Sequence, residues 1–503
     1  MSEARIETPV KDAVFIGIYL DDERVNVSAV TENGSILAKT AANYNMPKEN
    51  KKSTSEGKKI LEINPEIWWD STRMALGNLI NQLRSKVASP SQLKAVAVSS
   101  VSGALAVIDK NGAVLLPTIL REDQRASDFV KPLNFHGQDH CSRLGIKFTA
   151  ESPLAKIAWI KDTQPELYEN AFFVHQADYI IGHLKGKADV TEFSLALMTG
   201  CDVVEECWPD WIDYNMYLGA RDKLPRLVHL GTKIGNVCTK ASSATGLPAG
   251  ISVVMGTTAK TASFLASGAR NAGDFYTEIE DGMAFNGISP QMILDQYGQI
   301  QTYKLPNNGW FFSVESRTGA GWIKEWFADS SFDELEKESL KLLPTKHLAY
   351  PNVRKGETFP FNSGSAEGFI SPATDNRLVQ FTSCLQGTAL FERYCYQKLD
   401  KLAGMNDSRS DIYSGGQWTS CDGWMQCRAD VTGRVNQRMV GHGDAAFGTA
   451  MAAAMGVFYK SIEDTAAAML QSETVFYPNL ELQQQYDDIY GNFCELMEEQ
   501  GYV

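Results

Sequence analysis

An elbow between a strand and a helix, near the middle of the chain, has the form that binds anions or hydroxyl-rich ligands. In the segment VVMGTTAKTASFLASG (253–268), a buried strand runs through Gly256, Thr257 and Thr258 into an alanine-rich helix. A chain that turns in this way offers the first backbone N–H groups of the helix to a ligand. Elbows of this shape usually present a reactive side chain at the tip, but here the tip is Ala259. The segment therefore predicts binding without a catalytic group at this position.

Acidic residues occupy two turns that each join a pair of predicted strands. The first turn is DDE (21–23) and the second is EDG (280–282). Carboxylates aimed at a ligand site repel phosphate groups, since two unit charges about 4 Å apart interact by roughly 4 kcal/mol at an effective dielectric constant near 20. The same oxygen atoms favour hard cations such as Mg²⁺. Acidic residues are also common as solvated turn formers, and for the first turn alone this explanation stays open.

Length, composition and charge limit the class of protein. The 503 residues are too many for one hydrophobic core and suit two domains. With 44% hydrophobic and 21% charged residues, no apolar run of membrane-spanning length and no apolar leader, the chain is expected to be cytoplasmic, without a membrane partner. A net charge of -14 argues against a nucleic-acid partner. The nine cysteines include no CxxC pair, which favours free thiols over a zinc site.

The order of predicted strands and helices indicates a repeated α/β architecture. The segments VFIGIYL, RVNVSAV and SILAKT are predicted strands, followed by a helix within 65–86 and a strand-turn-strand unit around KNG (110–112). A similar order restarts at Ile251, after the Gly- and Pro-containing segment TGLPAG. The sequence therefore predicts domains at 12–250 and 251–503, with the last helix packing back on the N-terminal domain.

These segments, in this order along nearly the whole chain, resemble the FGGY carbohydrate kinases, and most closely their pentulose-kinase-like branch. The resemblance rests on the series NPEIWWD, VSSVSGALAVIDKNG, REDQRA, SPLAKIAWI, HQADYIIGHLKG, GLPAGISVVMGTT, ESRTGAGWIKEWF, GWMQCRADVTG and DAAFGTAMAA. No single segment is specific, whereas their ordered recurrence is. The resemblance implies an α/β fold of two actin-like (RNase H-like, ASKHA) domains, with an interdomain cleft that closes on a sugar and ATP.

The resemblance explains why the elbow lacks a reactive side chain. In the family, an aspartate after the Gly-Thr-Thr turn removes the proton from the sugar hydroxyl, and Ala259 stands at that position. The first phosphate-side turn of the family, D-x-G-T-[ST], aligns with residues 19–23. Tyr19 therefore replaces the metal-side aspartate, while Asp21 and Asp22 replace the Gly-Thr pair. The base, the metal ligand and the first phosphate turn all depart from the family pattern.

The remaining nucleotide segments depart from the family pattern as well. The second phosphate-side turn, usually Gly-[ST]-[ST], aligns with EDG (280–282), and the nucleoside-side Gly-Gly-Gly aligns with GGQ (415–417). The ring of Trp418, which follows, is expected either to fill the adenine pocket or to stack on adenine. The nucleotide-binding residues that the resemblance implies are Gly256, Thr257, Thr258, Gly415, Gly416, Gln417 and Trp418.

The sugar side is better preserved. The resemblance implies substrate contacts from Ser102, Asp123, Arg125, Gln176 and Asp178. One departure is Arg121, which stands where the family has an aromatic residue. For the HQAD motif (175–178), a structural role in joining a strand to a helix is an equal alternative to sugar contact. The K-x-x-W pair of Lys156 and Trp159 likewise has the packing of a helix face as its alternative.

Two functions of different classes follow. The joint loss of base, metal aspartate and phosphate turns favours an inactive homologue, a pseudokinase that binds a sugar or polyol, or a protein partner, as a sensor, scaffold or regulator. The alternative is an active carbohydrate kinase, an ATP-dependent transferase, in which Asp123 is the base and Asp21, Asp22 or Glu280 holds Mg²⁺. Mg²⁺ and ATP are expected as cofactors only in that second case. Homodimers are common among similar proteins, which makes a second copy of the chain a candidate partner.

Overall fold

The computed structural model describes residues 11–45, 51–54, 57–214, 216, 218–295, 297–306, 309–405, 410–439 and 444–502. The strands β1–β22 are, in chain order, Val14–Leu20, Arg24–Thr31, Ile36–Asn43, Lys51–Ser53, Lys59–Ile63, Leu93–Ser100, Leu105–Ile108, Val114–Ile119, Phe172–Val174, Val190–Glu192, Arg226–Val228, Lys233–Asn236, Ser252–Thr258, Phe275–Ile279, Met283–Ser289, Gln301–Lys304, Trp310–Ser316, Leu348–Tyr350, Phe369–Ser371, Ile412–Gly415, Asn436–Met439 and Ser472–Phe476. The helices α1–α17 are Glu66–Leu83, Val130–His136, Gln138–Leu144, Pro153–Thr163, Pro165–Asn170, Gln176–Lys185, Phe193–Ala196, Trp211–Tyr214, Thr239–Thr245, Ala259–Leu265, Gly321–Trp326, Phe332–Ser339, Arg377–Leu402, Asp422–Thr432, Ala445–Met455, Ile462–Met469 and Gln483–Glu499. Within the described ranges, no helix has both the length and the apolar character needed to cross a membrane.

The chain divides into two compact units. The first comprises Met1–Ala266, Tyr303–Asn307 and Gly443–Leu470, and the second comprises Ser267–Thr302, Asn308–His442 and Gln471–Val503. The boundary predicted after Gly250 differs from this division, because β13 pairs in parallel with β6 and so belongs to the first unit. The segment that returns to the first unit is α15, whereas the last helix, α17, places Tyr486 and Phe493 in the core of the second unit.

The main sheet of the first unit has six strands in the order β12-β13-β6-β1-β2-β3. Strand β1 pairs antiparallel with β2 and parallel with β6, as its buried sequence VFIGIYL predicts for a central strand. Helix α1 covers one face of the sheet, and its residues Trp68, Ala75 and Leu79 are buried in the same hydrophobic core as Ile16 and Ile18. The predicted helix within 65–86 is therefore confirmed.

Helix α15 covers the opposite face of β1 at a distance that only small residues allow. A Cβ atom added to Gly17 would lie 2.0 Å from the carbonyl oxygen of Ala446 and 2.4 Å from the backbone nitrogen of Ala450. A Cβ atom added to Gly448 would lie 1.8 Å from the carbonyl oxygen of Ala262 in α10. The alanine- and glycine-rich sequence of α15 thus holds β1 and α10 together by close backbone packing.

The second unit repeats the central motif of the first. Its seven-stranded sheet has the order β16-β17-β15-β14-β20-β21-β22. Strand β14 pairs antiparallel with β15 across the second acidic turn and parallel with β20, just as β1 pairs with β2 and β6. The long helix α13 packs on this sheet, and its residues Phe381 and Leu385 are buried with Phe275 and Phe285 of the strands. The predicted α/β repeat is present, and it restarts at β14.

Candidate functional site

The acidic turn between β1 and β2 caps its own backbone. Asp21 Oδ1 accepts hydrogen bonds from the backbone N–H groups of Glu23 at 2.8 Å and Arg24 at 2.6 Å. Its Oδ2 accepts a hydrogen bond from the side-chain amide of Asn26 at 3.2 Å. The family resemblance predicts that the N–H groups of this turn bind a phosphate. In this chain, two of these N–H groups donate to the carboxylate of Asp21 instead.

Tyr19, which the resemblance aligns with the metal-side aspartate, lies beside this turn. Burial, with Asp21 and Asp22 acting in the same direction, raises the pKa of the Tyr19 phenol to about 12. The side chain is therefore an uncharged phenol at neutral pH. It does not supply the carboxylate charge that a hard cation such as Mg²⁺ prefers.

Two departures from the family pattern form an ion pair with each other. The Nη2 atom of Arg121 lies 3.1 Å from Oδ2 of Asp22, although the two residues are 99 positions apart. Both side chains are well exposed, at 40% for Arg121 and 54% for Asp22. Exposed pairs of this kind contribute only about 0–1 kcal/mol to stability. The pair thus connects the sugar-side segment to the acidic turn by a bond that is easily exchanged.

The side chains of the strand-to-helix elbow are bonded within the first unit. Thr258 is the N-cap of α10, where its Oγ1 accepts a hydrogen bond from the backbone N–H of Thr261 at 3.4 Å. Thr257 donates its backbone N–H to Ser99 Oγ at 3.1 Å. At Gly256, an added Cβ atom would lie 2.1 Å from the carbonyl oxygen of Val98, so the glycine is required for the close approach of β13 to β6.

A buried carboxylate, Glu192, supports the elbow from within the first unit. Its Oε2 accepts a hydrogen bond from Thr257 Oγ1 at 3.0 Å, and its Oε1 accepts one from Ser194 Oγ at 3.1 Å. The side chain is almost completely buried. Burial raises the pKa of Glu192 to about 7, while the hydrogen bonds from Ser194 and Thr257 act in the opposite direction.

We expect Glu192→Gln to change the pH dependence of stability. The pKa of Glu192 is about 7 in the folded chain against an ordinary value of 4.5, so the folded chain keeps a proton between these values that the unfolded chain loses. The wild-type free energy of unfolding therefore falls as pH rises through this window. Because Gln does not titrate, the variant should gain roughly 3 kcal/mol relative to wild type from pH 4.5 to pH 7.5. Urea unfolding at both pH values measures this difference.

The matched control is Glu166→Gln, which removes an exposed carboxylate from α5 of the same unit. Its stability relative to wild type should stay constant over the same pH range, because its carboxylate is solvated in both states. A constant difference for Glu192→Gln would contradict the prediction.

The acidic turn of the second unit also directs a carboxylate at a backbone N–H group. Glu280 Oε1 accepts a hydrogen bond from the backbone N–H of Gln417 at 3.0 Å. The neighbouring carboxylate of Asp281 pairs with Lys324 at 2.7 Å and with Arg354 at 3.8 Å. The hydrogen bond from Lys324 lowers the pKa of Asp281. Asp281 is therefore ionised at neutral pH, and the turn presents negative charge with its own cationic partners.

The nucleoside-side segment turns sharply at Gly416 and then packs its tryptophan inside the second unit. Gly416 has a φ of +95°, and an added Cβ atom would lie 2.4 Å from the carbonyl oxygen of Ile279. The ring of Trp418 lies against Phe332, with ring centroids 5.0 Å apart. The predicted nucleotide contacts stay predictions for Gly415, Gly416 and Trp418. The backbone N–H of Gln417 already donates a hydrogen bond to Glu280.

The D-x-R segment of the sugar side forms a closed ion-pair network. Asp123 is fully buried, and its two oxygens accept hydrogen bonds from Leu61 N, Arg125 N, Arg125 Nε and Arg125 Nη2 at 2.7, 3.0, 2.9 and 2.8 Å. Arg125 also pairs with Glu62 at 2.6 Å and lies 5.0 Å above the ring of Trp159. Asp123 therefore positions Arg125 and the segment around it. Its oxygens are not free to take a proton from a sugar, so the fallback assignment of Asp123 as base has no support in this geometry.

A buried lysine, Lys156 on α4, fastens the loops that carry the sugar-side residues. Its Nζ donates hydrogen bonds to the carbonyl oxygens of Gly103 at 2.5 Å, Leu120 at 2.8 Å and Arg121 at 3.2 Å. Burial lowers the pKa of Lys156 to about 7, while the charge of Asp123 acts in the opposite direction. The lysine of the K-x-x-W pair therefore positions backbone segments. The motif alone does not indicate this role, because the three carbonyl partners lie elsewhere in the sequence.

Gln176 connects α6 to the first acidic turn. Its Nε2 lies 3.4 Å from the carbonyl oxygen of Asp21 and 3.3 Å from the hydroxyl oxygen of Tyr44. Its Oε1 is buried and has no hydrogen-bond partner. The half-buried Ser102 lies two residues after the end of β6. The predicted contacts of Gln176 and Ser102 with a sugar therefore remain geometrically open.

The remainder of the HQAD motif joins a strand to a helix. Asp178 is fully buried at the third position of α6, and its Oδ2 accepts hydrogen bonds from the backbone N–H and the ring Nδ1 of His175 at 3.0 and 2.9 Å. The His175 ring also contacts the hydroxyl groups of Thr191 and Thr199 at 2.9 and 2.8 Å. This geometry supports the structural alternative for Asp178, because a reciprocal cap of this kind satisfies the helix terminus.

The fallback metal ligands have other partners in this structure. Asp21 accepts hydrogen bonds from backbone N–H groups of its own turn, and Glu280 accepts one in the second unit. The described part of the chain contains no group of three or more His, Cys, Asp or Glu residues arranged to hold a metal ion. Metal binding by Asp21, Asp22 or Glu280 therefore has no further support from the structure.

An open cavity of about 560 Å³ lies in the first unit beside the acidic turn. Its floor is the part of the α15-facing side of the sheet that α15 does not reach, and side chains from alternating positions of β1, β2 and β3 line it: Tyr19, Asn26, Ser28, Lys39 and Ala41. Asp444, at the start of α15, forms an ion pair with Lys39 at the wall. The polar floor suits a hydroxyl-rich or charged molecule.

Three residues at the site lie outside the motifs that the sequence contains: Tyr44, Glu62 and Glu192. Of these, only Glu192 had a local signal, because it is the one charged residue in the apolar run VTEFSLALM. The contacts of Tyr44 and Glu62 depend on strand pairings that no short motif encodes.

The fold belongs to the class of two-domain carbohydrate kinases. The xylulose kinase from Rhodospirillum rubrum has the same fold, with a TM-score of 0.76 and 21% identity, and the alignment covers 97% of this chain and 98% of that one. Two family models match the sequence: the N-terminal domain of the FGGY family of carbohydrate kinases over residues 18–266, and its C-terminal domain over residues 252–457. The chain therefore belongs to the FGGY family of carbohydrate kinases, as the resemblance predicted.

Sequence relatives extend over the whole length of the chain. A xylulose kinase from Bacillus subtilis (strain 168) is 24% identical over 495 residues, which cover 95% of this chain and 96% of the relative. A xylulose kinase from Staphylococcus xylosus is 22% identical over 494 residues, which cover 95% of this chain and 98% of the relative. The two-domain α/β fold and the pentulose-kinase-like branch are thus confirmed.

Proposed function

We propose that this chain is a non-catalytic member of its family, a pseudokinase that binds a sugar or polyol and acts as a sensor, scaffold or regulator. The observation that carries the proposal is the use of carboxylates at both turns. Asp21 accepts hydrogen bonds from the N–H groups of Glu23 and Arg24, and Glu280 accepts one from Gln417. Phosphoryl transfer depends on N–H groups and metal ions that neutralise phosphate charge. In this chain the carboxylates of Asp21 and Glu280 accept hydrogen bonds from backbone N–H groups at the two turns.

The lack of a base supports the same proposal. Ala259 stands at the first position of α10, where the family has its aspartate, and a positioned base typically contributes about 10²- to 10⁴-fold to the rate. In the alternative, an active kinase, Asp123 would have to act as the base. Because Asp123 accepts four hydrogen bonds from Leu61 and Arg125, this alternative is the weaker one.

The ligand that we propose is a sugar or a related polyol. The relatives from Bacillus subtilis and Staphylococcus xylosus are xylulose kinases, and the loops of the sugar side are firmly positioned by Lys156 and by the pair of Asp123 and Arg125. These features support retention of a sugar site after loss of the transfer reaction. A protein partner and a homodimer stay predictions.

We expect Mg-ATP to bind with a Kd weaker than about 1 mM, because the acidic turns add charge repulsion to the ordinary cost of ordering a nucleotide. Isothermal calorimetry and thermal shift with Mg-ATP, each with and without a panel of ketoses and polyols, measure this. Sub-millimolar binding of Mg-ATP together with phosphorylation of any panel sugar would contradict the pseudokinase proposal.

A double variant and a control test whether the carboxylates of the two turns cause the weak binding of Mg-ATP. Asp21→Gly combined with Glu280→Gly releases the three backbone N–H groups and removes two charges, so we expect Mg-ATP to bind at least tenfold more tightly. The control is Asp109→Gly, which removes a similar cap from an exposed turn, where Asp109 Oδ1 accepts hydrogen bonds from the N–H groups of Asn111 and Ala113. Its nucleotide affinity should equal that of the wild type.

A further inference from the structure

Two buried polar atoms beside the first acidic turn have no hydrogen-bond partner: Nε of Arg121, a donor, and Oε1 of Gln176, an acceptor. The stem of Arg121 lies along the loop after Ser102, since a Cβ atom added to Gly103 would be 2.7 Å from Cγ of Arg121. Gln176 reaches the same turn through the carbonyl oxygen of Asp21. Buried polar groups in folded proteins are nearly always bonded, so an unpaired donor and an unpaired acceptor beside the same turn indicate a missing partner.

The guanidinium of Arg121 makes only half of the contact that its geometry allows. In the neighbouring network, Arg125 holds the carboxylate of Asp123 with both Nε and Nη2, at 2.9 and 2.8 Å. Arg121 offers the same two donors but bonds Asp22 through Nη2 alone. A carboxylate that engaged both atoms would form the stronger bidentate pair, and the exposed Asp22 would return to solvent at little cost.

We infer that the ligand of the sugar side is a polyhydroxy carboxylate, a sugar acid, whose carboxylate binds Nε and Nη2 of Arg121 in place of Asp22. One of its hydroxyl groups donates a hydrogen bond to Oε1 of Gln176. This inference rests on the proposed function, because it names the ligand class of the site that the pseudokinase keeps. A single negative charge matches the single arginine, whereas a phosphate group would bring a second charge next to Asp21.

The test compares ligands that differ only in the acid group. Calorimetry measures the binding of D-xylonate against xylitol and of D-gluconate against D-glucitol. We expect each acid to bind at least tenfold more tightly than its polyol. Arg121→Gln should remove that preference, and Arg121→Lys should keep only part of it, because an ammonium group has no planar fork. Asp22→Asn should strengthen acid binding severalfold, since the internal competitor loses its charge.

The matched control is Arg73→Gln, which removes an arginine of similar exposure that pairs with Asp70 on the surface of α1. It should not alter any affinity. Equal binding of acid and polyol, a preference that survives Arg121→Gln, or tighter binding of D-xylulose 5-phosphate than of D-xylonate would overturn the inference and leave the proposed function standing. If neither acids nor polyols bind, both the inference and the sugar-binding part of the proposed function fail.

Discussion

Rebuilding both acidic turns and the elbow together should give this chain an ATP-dependent transferase activity that none of the parts gives alone. The combined variant carries Tyr19→Asp, Asp21→Gly, Asp22→Thr, Ala259→Asp, Glu280→Gly and Asp281→Thr. The substitutions at Asp21 and Glu280 release the N–H groups that their carboxylates now cap. The aspartate at position 19 restores a metal ligand, and the one at position 259 restores a base. Groups that act as one catalytic unit are strongly non-additive, so activity is expected only in the combination.

Phosphate transfer from labelled Mg-ATP to a panel of ketoses, polyols and sugar acids measures this activity. Ala259→Asp alone should remain inactive, because a base without phosphate and metal binding lacks the larger, electrostatic part of catalysis. The five other substitutions without Ala259→Asp form the second control, which should bind Mg-ATP without transferring phosphate. Activity in Ala259→Asp alone would show that the acidic turns still accept ATP, and activity in the unmodified chain would overturn the pseudokinase proposal.

Removing one partner of the buried ion pair in the second unit should destabilise that unit by about 3–5 kcal/mol. Arg428 and Glu392 are 1% and 0% exposed, and Nε and Nη2 of Arg428 lie 2.7 and 2.6 Å from the two carboxylate oxygens. The hydroxyl group of Tyr396 also donates a hydrogen bond to Glu392. Arg428→Met leaves this carboxylate buried without its counter-ion. Urea unfolding at pH 7, followed by tryptophan fluorescence, measures the loss.

The double variant Arg428→Met with Glu392→Met provides the matched control. It replaces both charges by apolar side chains, so we expect it to recover most of the stability that the single variant loses. A loss below about 1 kcal/mol in Arg428→Met, or a double variant no more stable than the single one, would contradict this account of the pair.

Features that depend on neighbours close in sequence could be predicted. The hairpin of β1 and β2 around the acidic turn, and the stripe of Trp68, Ala75 and Leu79 on α1, follow from hydrophobic period and turn chemistry. The ordered motifs also identified the family and its two-domain fold, whereas the assignment of Tyr19, Ala259 and the two acidic turns as replaced catalytic positions stays a prediction.

Contacts between distant parts of the chain could not be predicted. The pairing of β13 with β6 decides the division into units, yet the two strands are separated by most of the first unit. The hydrogen bond between Glu280 and Gln417 spans 137 residues. The sequence shows only an acidic residue, whether its carboxylate caps a backbone N–H group or is merely solvated. The role of each acidic turn therefore appears only when its partners are located.

The packing of α15 on β1 has a consequence for how the protein is made. On the ribosome, β1 is synthesised first, and the helix that covers its Gly17 face follows roughly 430 residues later, a delay of roughly 20–90 s at ordinary rates of elongation. During that interval the face of β1 that carries Gly17 lacks the helix that covers it in the folded unit. A fragment truncated at Ala266 lacks α15 and keeps that face uncovered, so the first unit matures only after residues 445–455 have been synthesised.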